Sequence, residues 1–90
     1  MKNEFNSVWD AIEEDPIKAE NFKLRSALMN DIVLKLAEVS DSQKEAAVLL
    51  KTTQPRISAL KQGKINSFRL DMLVDFALRL GLGVSINIAA

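Results

Sequence analysis

Between Ala46 and Leu70 the chain has no acidic side chain, yet it carries Lys51, Arg56, Lys61, Lys64 and Arg69. Gln54 and Arg56 stand two apart within that stretch, with Pro55, Ser58 and Ala59 beside them. A glutamine amide offers a donor and an acceptor in one plane, which matches N6 and N7 of adenine. An arginine fork matches O6 and N7 of guanine, and proline or alanine suits the methyl group of thymine. Lysine ammoniums are compact charges that pair well with phosphate. The chemistry these residue types can do is therefore recognition of a nucleic acid, not bond making.

Other chemistries lose their usual tools. The chain has no histidine and no cysteine. The commonest general base, the commonest metal ligand and the thiolate nucleophile are all missing, and no disulfide can form. Ser58 and Lys61 are three apart, but no base or oxyanion site supports a nucleophile there. No catalytic residue, metal or cofactor is expected. The formal net charge is zero, but charge distribution matters more than its sum. Glu4, Asp10, Glu13, Glu14, Asp15 and Glu20 crowd the start, so the acidic and basic regions are separate. An acidic arm weakens non-specific attraction to phosphate. The opening residues lack the apolar centre of a signal peptide, and no apolar run reaches the ~20 residues that span a bilayer. The expected location is the cytoplasm, with no membrane partner.

Positioning the polar residues falls to helices. At 90 residues the chain is one domain. A chain this small buries only about 60–65% of its unfolded surface, so a second copy would help it. Residues 1–16 form an acidic arm, in which Phe5, Val8, Trp9 and Ile12 fall on a helical stripe. Trp9 reads as core or dimer packing. Asp15-Pro16 then breaks or restarts the chain. Residues 17–81 form the main domain. Its first helix runs from Ile17 to Val39, with Phe22, Leu24, Leu28, Met29, Ile32, Val33, Leu36 and Ala37 facing inward. Arg25 and Asp31 read as surface or pairing residues.

Ser40-Asp41-Ser42 is a loop. Ser42 and Glu45 form a capping box, in which the serine oxygen takes the glutamate amide and the carboxylate returns to the serine amide. The helix they open extends to about Leu50, packed by Ala46, Ala47, Leu49 and Leu50. Thr53 caps the next helix, Gln54 to Lys61, with Pro55 in its first turn, where a missing N–H costs nothing. Gly63 ends it in the left-handed region. Ser67 is expected to cap a last helix, Phe68 to Leu80, with Leu70, Leu73, Val74, Phe76, Ala77 and Leu80 on its apolar face and Gly81 as the stop. In the tail, residues 82–90, Val84, Ile86 and Ile88 alternate with polar residues, which reads as a strand. A lone strand has unpaired edges. Its simplest partner is the same strand of a second subunit, so these three residues are the expected dimer contact.

Two short helices joined by a tight turn make a helix-turn-helix unit, here residues 43–62. Ala47 is small where the helices cross, and Ile57 and Leu60 anchor the second helix. Gln54, Pro55, Arg56, Ser58 and Ala59 are the expected base contacts. Gln43, at a helix start that favours an anion, and Thr53, Lys61, Gln62 and Lys64 are the expected phosphate contacts, which position the protein without reading sequence.

The string SQKEAAVLLKTTQPRISALKQGK resembles the lambdoid-repressor, or Xre, class of helix-turn-helix proteins. Within that class the chain is similar to small HigA-type antitoxins and phage-associated regulators. The likeness extends to FNSVWDAI in the arm, FKLRSALM, FRLDMLVDFALRLG and VSINI. One departure is Lys51, where the class usually has glycine at the turn; a lysine there must take a left-handed backbone or shift the turn. The resemblance implies an all-α, lambda-repressor-like five-helix bundle with one short C-terminal β-strand paired across a dimer. It also implies repression of the protein's own promoter and binding of a toxin encoded beside it, typically a ribosome-dependent messenger RNA endonuclease.

On this reading a two-fold homodimer sets two Gln54–Lys61 helices in successive major grooves of double-stranded DNA. The operator is palindromic, with half-sites about 34 Å apart. A second reading makes the chain a protein-interaction module. In it the acidic arm and Trp9 neutralise a basic toxin, and DNA binding is secondary.

Overall fold

The computed structural model describes residues 15–89. The arm's stripe, Phe5, Val8, Trp9 and Ile12, lies outside the described residues, and so does its expected helix. Four α-helices are described: α1 (Pro16–Val39), α2 (Gln43–Leu50), α3 (Gln54–Lys61) and α4 (Leu70–Arg79), with a 3₁₀ turn, Ile65–Ser67, between α3 and α4.

Each start has a local cause. The Asp15 carboxylate caps α1 by accepting from the amides of Ile17 (3.1 Å) and Lys18 (3.3 Å), and Pro16 occupies the first turn. The Ser42 hydroxyl caps α2 by accepting from the Glu45 amide at 3.1 Å. The returning half of that capping box differs from expectation. The Glu45 carboxylate accepts from the amide of Asp41 at 2.8 Å, not from that of Ser42, so it satisfies a donor one residue earlier. The Thr53 hydroxyl caps α3 by accepting from the Arg56 amide at 3.3 Å.

Three helices end in one motif. After α2, α3 and α4, a residue with positive φ lets two successive amides turn back onto the last carbonyls. Lys51 and Thr52 donate to Val48 and Ala47; Gly63 and Lys64 donate to Leu60 and Ala59; Gly81 and Leu82 donate to Leu78 and Ala77. The φ values are 54° at Lys51, 73° at Gly63 and 79° at Gly81. Lys51 therefore takes the left-handed backbone, and the turn is not shifted.

The last helix starts later than expected. Residues 65–67 wind as a 3₁₀ turn, Phe68 is extended, and Arg69 stands at the N-cap of α4 with no side-chain capping bond. Ser67 therefore caps nothing. The cause is burial: Phe68 is only 1% exposed and meets Phe76 edge-to-face, with centroids 6.3 Å apart. Entering the core requires extended backbone at Phe68, which delays the helix.

One core unites the elements. Ile32 and Leu36 of α1, Leu50 of α2, Ile57 and Leu60 of α3, Phe68 and Leu73 are its largest fully buried side chains. The most extensive helix contacts are α1 against α4 and α2 against α3. Some residues expected inside lie outside. Leu24 and Ala37 of α1 and Leu49 of α2 are exposed, because α1 carries apolar residues on more than one side and its core face is narrower than their number. The tail forms no strand among the described residues. Leu82 and Val84 pack against the core of their own chain, while Ile86 and Ile88 are exposed. A strand needs a ladder partner, and the described residues offer the tail none.

Candidate nucleic-acid interface

The second helix of the unit is held from behind. Ile57 and Leu60 are almost completely buried, and Ala46, Ala47 and Leu50 of α2 are buried with them in the same core. The turn between α2 and α3 is fixed at both ends, by the left-handed Lys51 and by the Thr53 cap. Small side chains at Ala46 and Ala47 let the two helices cross closely. The local sequence thus fixes both the direction of α3 and the side it presents.

Helical spacing decides what that side is. With Ile57 and Leu60 inward, Pro55, Ser58 and Gln62 point outward and Gln54 and Arg56 stand on opposite flanks, whereas Ala59, an expected base contact, packs against the core. Gln54, Pro55, Arg56 and Gln62 are exposed; Ser58 and Ala59 are half-buried. The Gln62 amide donates to the Ser58 hydroxyl at 2.9 Å, so these two form one polar patch one helical turn long. Arg56 is occupied on its flank. Its Nη1 donates to the Ser67 carbonyl (3.4 Å) and lies 3.2 Å from the Met72 sulfur. Its guanidinium carbon lies 5.7 Å from the centre of the Phe68 ring.

The expected phosphate contacts fall in two places. Thr53 and Gln43 stand at the starts of α3 and α2, the first exposed and the second half-buried. Lys61, Gln62 and Lys64 are exposed around Gly63, just past α3. Lys51, Arg56, Lys61, Lys64 and Arg69 are all exposed, and among the described residues none of the five has a carboxylate partner. The ion pairs lie elsewhere, Lys23–Glu20 and Lys35–Glu38, both on α1. Among the described residues no carboxylate neutralises the field of the five cations, and a phosphate-facing surface needs such a field. Val84, Ile86 and Ile88 lie together on none of these surfaces: Val84 is against the core, and the other two face solvent.

Arg25, read from the sequence only as a surface or pairing residue, links two elements. It is half-buried, and its Nε donates to Asn21 Oδ1 at 2.8 Å. Its Nη1 donates to the carbonyls of Ile65 (3.1 Å) and Phe68 (3.2 Å). This side chain ties α1 to the turn that follows α3. Its spacing along α1 gave no signal of that role, because its partners lie some 40 residues away.

Among the described residues, no helix is long and apolar enough to cross a membrane. No curated protein matches the chain significantly. A family model described as a helix-turn-helix domain matches residues 12–89, a span that includes all four helices, the 3₁₀ turn and the described tail. The chain belongs to this helix-turn-helix family of DNA-binding regulators.

Proposed function

We propose that the protein is a sequence-specific transcriptional repressor that binds a palindromic operator as a homodimer and regulates its own promoter. The observation that carries this reading is the exposure of one face of α3. Gln54, Pro55 and Arg56 are open to solvent in its first turn, above the buried Ile57 and Leu60, with exposed cations on either side. Gln54, Pro55, Arg56, Ser58 and Ala59 read base edges, and Gln43, Thr53, Lys61, Gln62 and Lys64 hold phosphates. The reading includes no catalytic step and no cofactor.

Two further parts belong to the same proposal. Dimerisation through the tail is supported by Ile86 and Ile88, which are 76% and 92% exposed and have no strand partner among the described residues. A role as the antitoxin of a toxin–antitoxin pair, acting in the cytoplasm, is supported by the resemblance that runs from FNSVWDAI to VSINI. Removal of residues 1–15 separates the two activities. Loss of toxin binding with DNA binding retained places the toxin contact in the arm.

Selection of duplexes from a randomised pool by the purified protein tests the core of the proposal. Enrichment of a two-fold symmetric sequence with half-sites one helical turn apart is expected. A pool that stays random after several rounds contradicts sequence-specific binding.

A further inference from the structure

Two arginines grip the segment Ile65–Phe68, and they grip it differently. Arg25 is half-buried, with both ends of its guanidinium engaged: Nε to Asn21 at 2.8 Å, and Nη1 to the Ile65 and Phe68 carbonyls at 3.1 and 3.2 Å. Arg56 is exposed. It has a long 3.4 Å bond to the Ser67 carbonyl, a weak sulfur acceptor at 3.2 Å, and the face of Phe68 at 5.7 Å. Stacking on an aromatic face and bonding to sulfur are weak interactions at an exposed site. The segment is therefore fixed by Arg25 whether or not Arg56 stays.

We propose that Arg56 is a releasable brace: it rests on Phe68, Ser67 and Met72 in the free protein and leaves them when α3 enters a matching DNA site. This rests on the reading of α3 as the DNA-facing helix. The geometry supports release because α4 and the turn lose only the weaker of two clamps. It also gives the brace a use. A random duplex offers phosphates, which Lys61 and Lys64 can already serve. A base edge with two acceptors in one plane replaces what the guanidinium gives up. The resting position thus makes Arg56 respond to sequence more than to charge. Because the competent position is populated only part of the time, apparent affinity is reduced by that fraction.

The test is nuclear magnetic resonance on the full chain, alone and bound to a duplex that the protein has itself selected from a random pool. Protons above an aromatic face shift upfield. The Arg56 side-chain protons are expected upfield of the other arginines in the free protein. They should return to the ordinary range with the selected duplex and stay upfield with a random one. An upfield position retained in the specific complex overturns the proposal and makes Arg56 a fixed brace, while leaving DNA binding intact. An ordinary position in the free protein also overturns it. If no duplex can be selected, the reading of α3 itself fails, and the release fails with it. Met72→Leu conserves volume and removes the sulfur, so it is expected to raise affinity for the selected duplex roughly two- to fivefold. Unchanged or lower affinity in a variant with an unaltered melting temperature counts against the brace.

Discussion

Lys51 occupies a position that the other two helix ends of the same type give to glycine. At φ 54° its Cβ crowds the following carbonyl, a strain of about 1–2 kcal/mol for an L-residue. Lys51→Gly is therefore expected to stabilise the fold by about 1 kcal/mol, read as a higher denaturation midpoint. The reverse experiment is at Gly63, where an added Cβ would meet no atom within 4 Å. Gly63→Ala has only the backbone to strain, and a loss of about 1 kcal/mol is expected. Lysine at the left-handed position also sets a charge at the mouth of the turn between α2 and α3. Its exposure, like that of the cations of α3, is consistent with a contribution to DNA affinity that offsets the strain. Arg56→Ala addresses base reading at the same scale. It is expected to relax preference at one operator position by ~1–3 kcal/mol, whereas uniform weakening on all duplexes would make Arg56 a phosphate contact.

At the scale of elements, α1 and the turn after α3 are coupled through Arg25. Hydrogen bonds from a charged donor are worth about 1.5–3 kcal/mol. Arg25 is only half-buried, so Arg25→Ala is expected to cost about 1–2 kcal/mol. It should also weaken DNA binding, because the segment after Lys64 loses its fixed clamp. Denaturation and binding titrations on one preparation check both effects. A variant as stable as the parent would remove Arg25 from the account. Most starts and stops of the helices were legible in the sequence because capping is local: Ser42, Thr53, Gly63 and Gly81 act within a few residues of themselves, whereas Asp15 was read as a break and not as a cap. The unit at 43–62 was legible for the same reason. The parts that were not legible depend on distant residues. The start of α4 is set by the burial of Phe68, not by Ser67. The grips of Arg25 and Arg56 depend on carbonyls brought near only by the fold. The inward face of α1 was overdrawn because Leu24 and Ala37 match the helical spacing but lie beyond the core's reach.

At the scale of the whole molecule, exposed charge and exposed apolar surface make separate predictions. Among the described residues Lys51, Arg56, Lys61, Lys64 and Arg69 stand exposed on and around α3, and large apolar residues are exposed as well, among them Leu34, Val48, Leu78, Ile86 and Ile88. A basic surface predicts strong salt dependence, with a slope of about −0.9 for each phosphate neutralised on a logarithmic plot. Lys64→Ala is expected to weaken binding to all duplexes and to flatten that slope by about one unit. The exposed tail predicts self-association. Ile86→Glu removes no core contact, so the monomer should keep its fold and its helical circular dichroism. Sedimentation should then show the variant as a monomer at concentrations where the parent is a dimer, and its operator affinity should fall with the loss of the second half-site. A variant that remains dimeric would move the interface off the tail.

The central claim is that α3 reads sequence. The most direct measurement is a binding titration of the purified protein on the DNA upstream of its own reading frame, with and without a large excess of random duplex. The account predicts a complex that survives the competitor. A complex that the competitor removes, or none at micromolar protein, would contradict it.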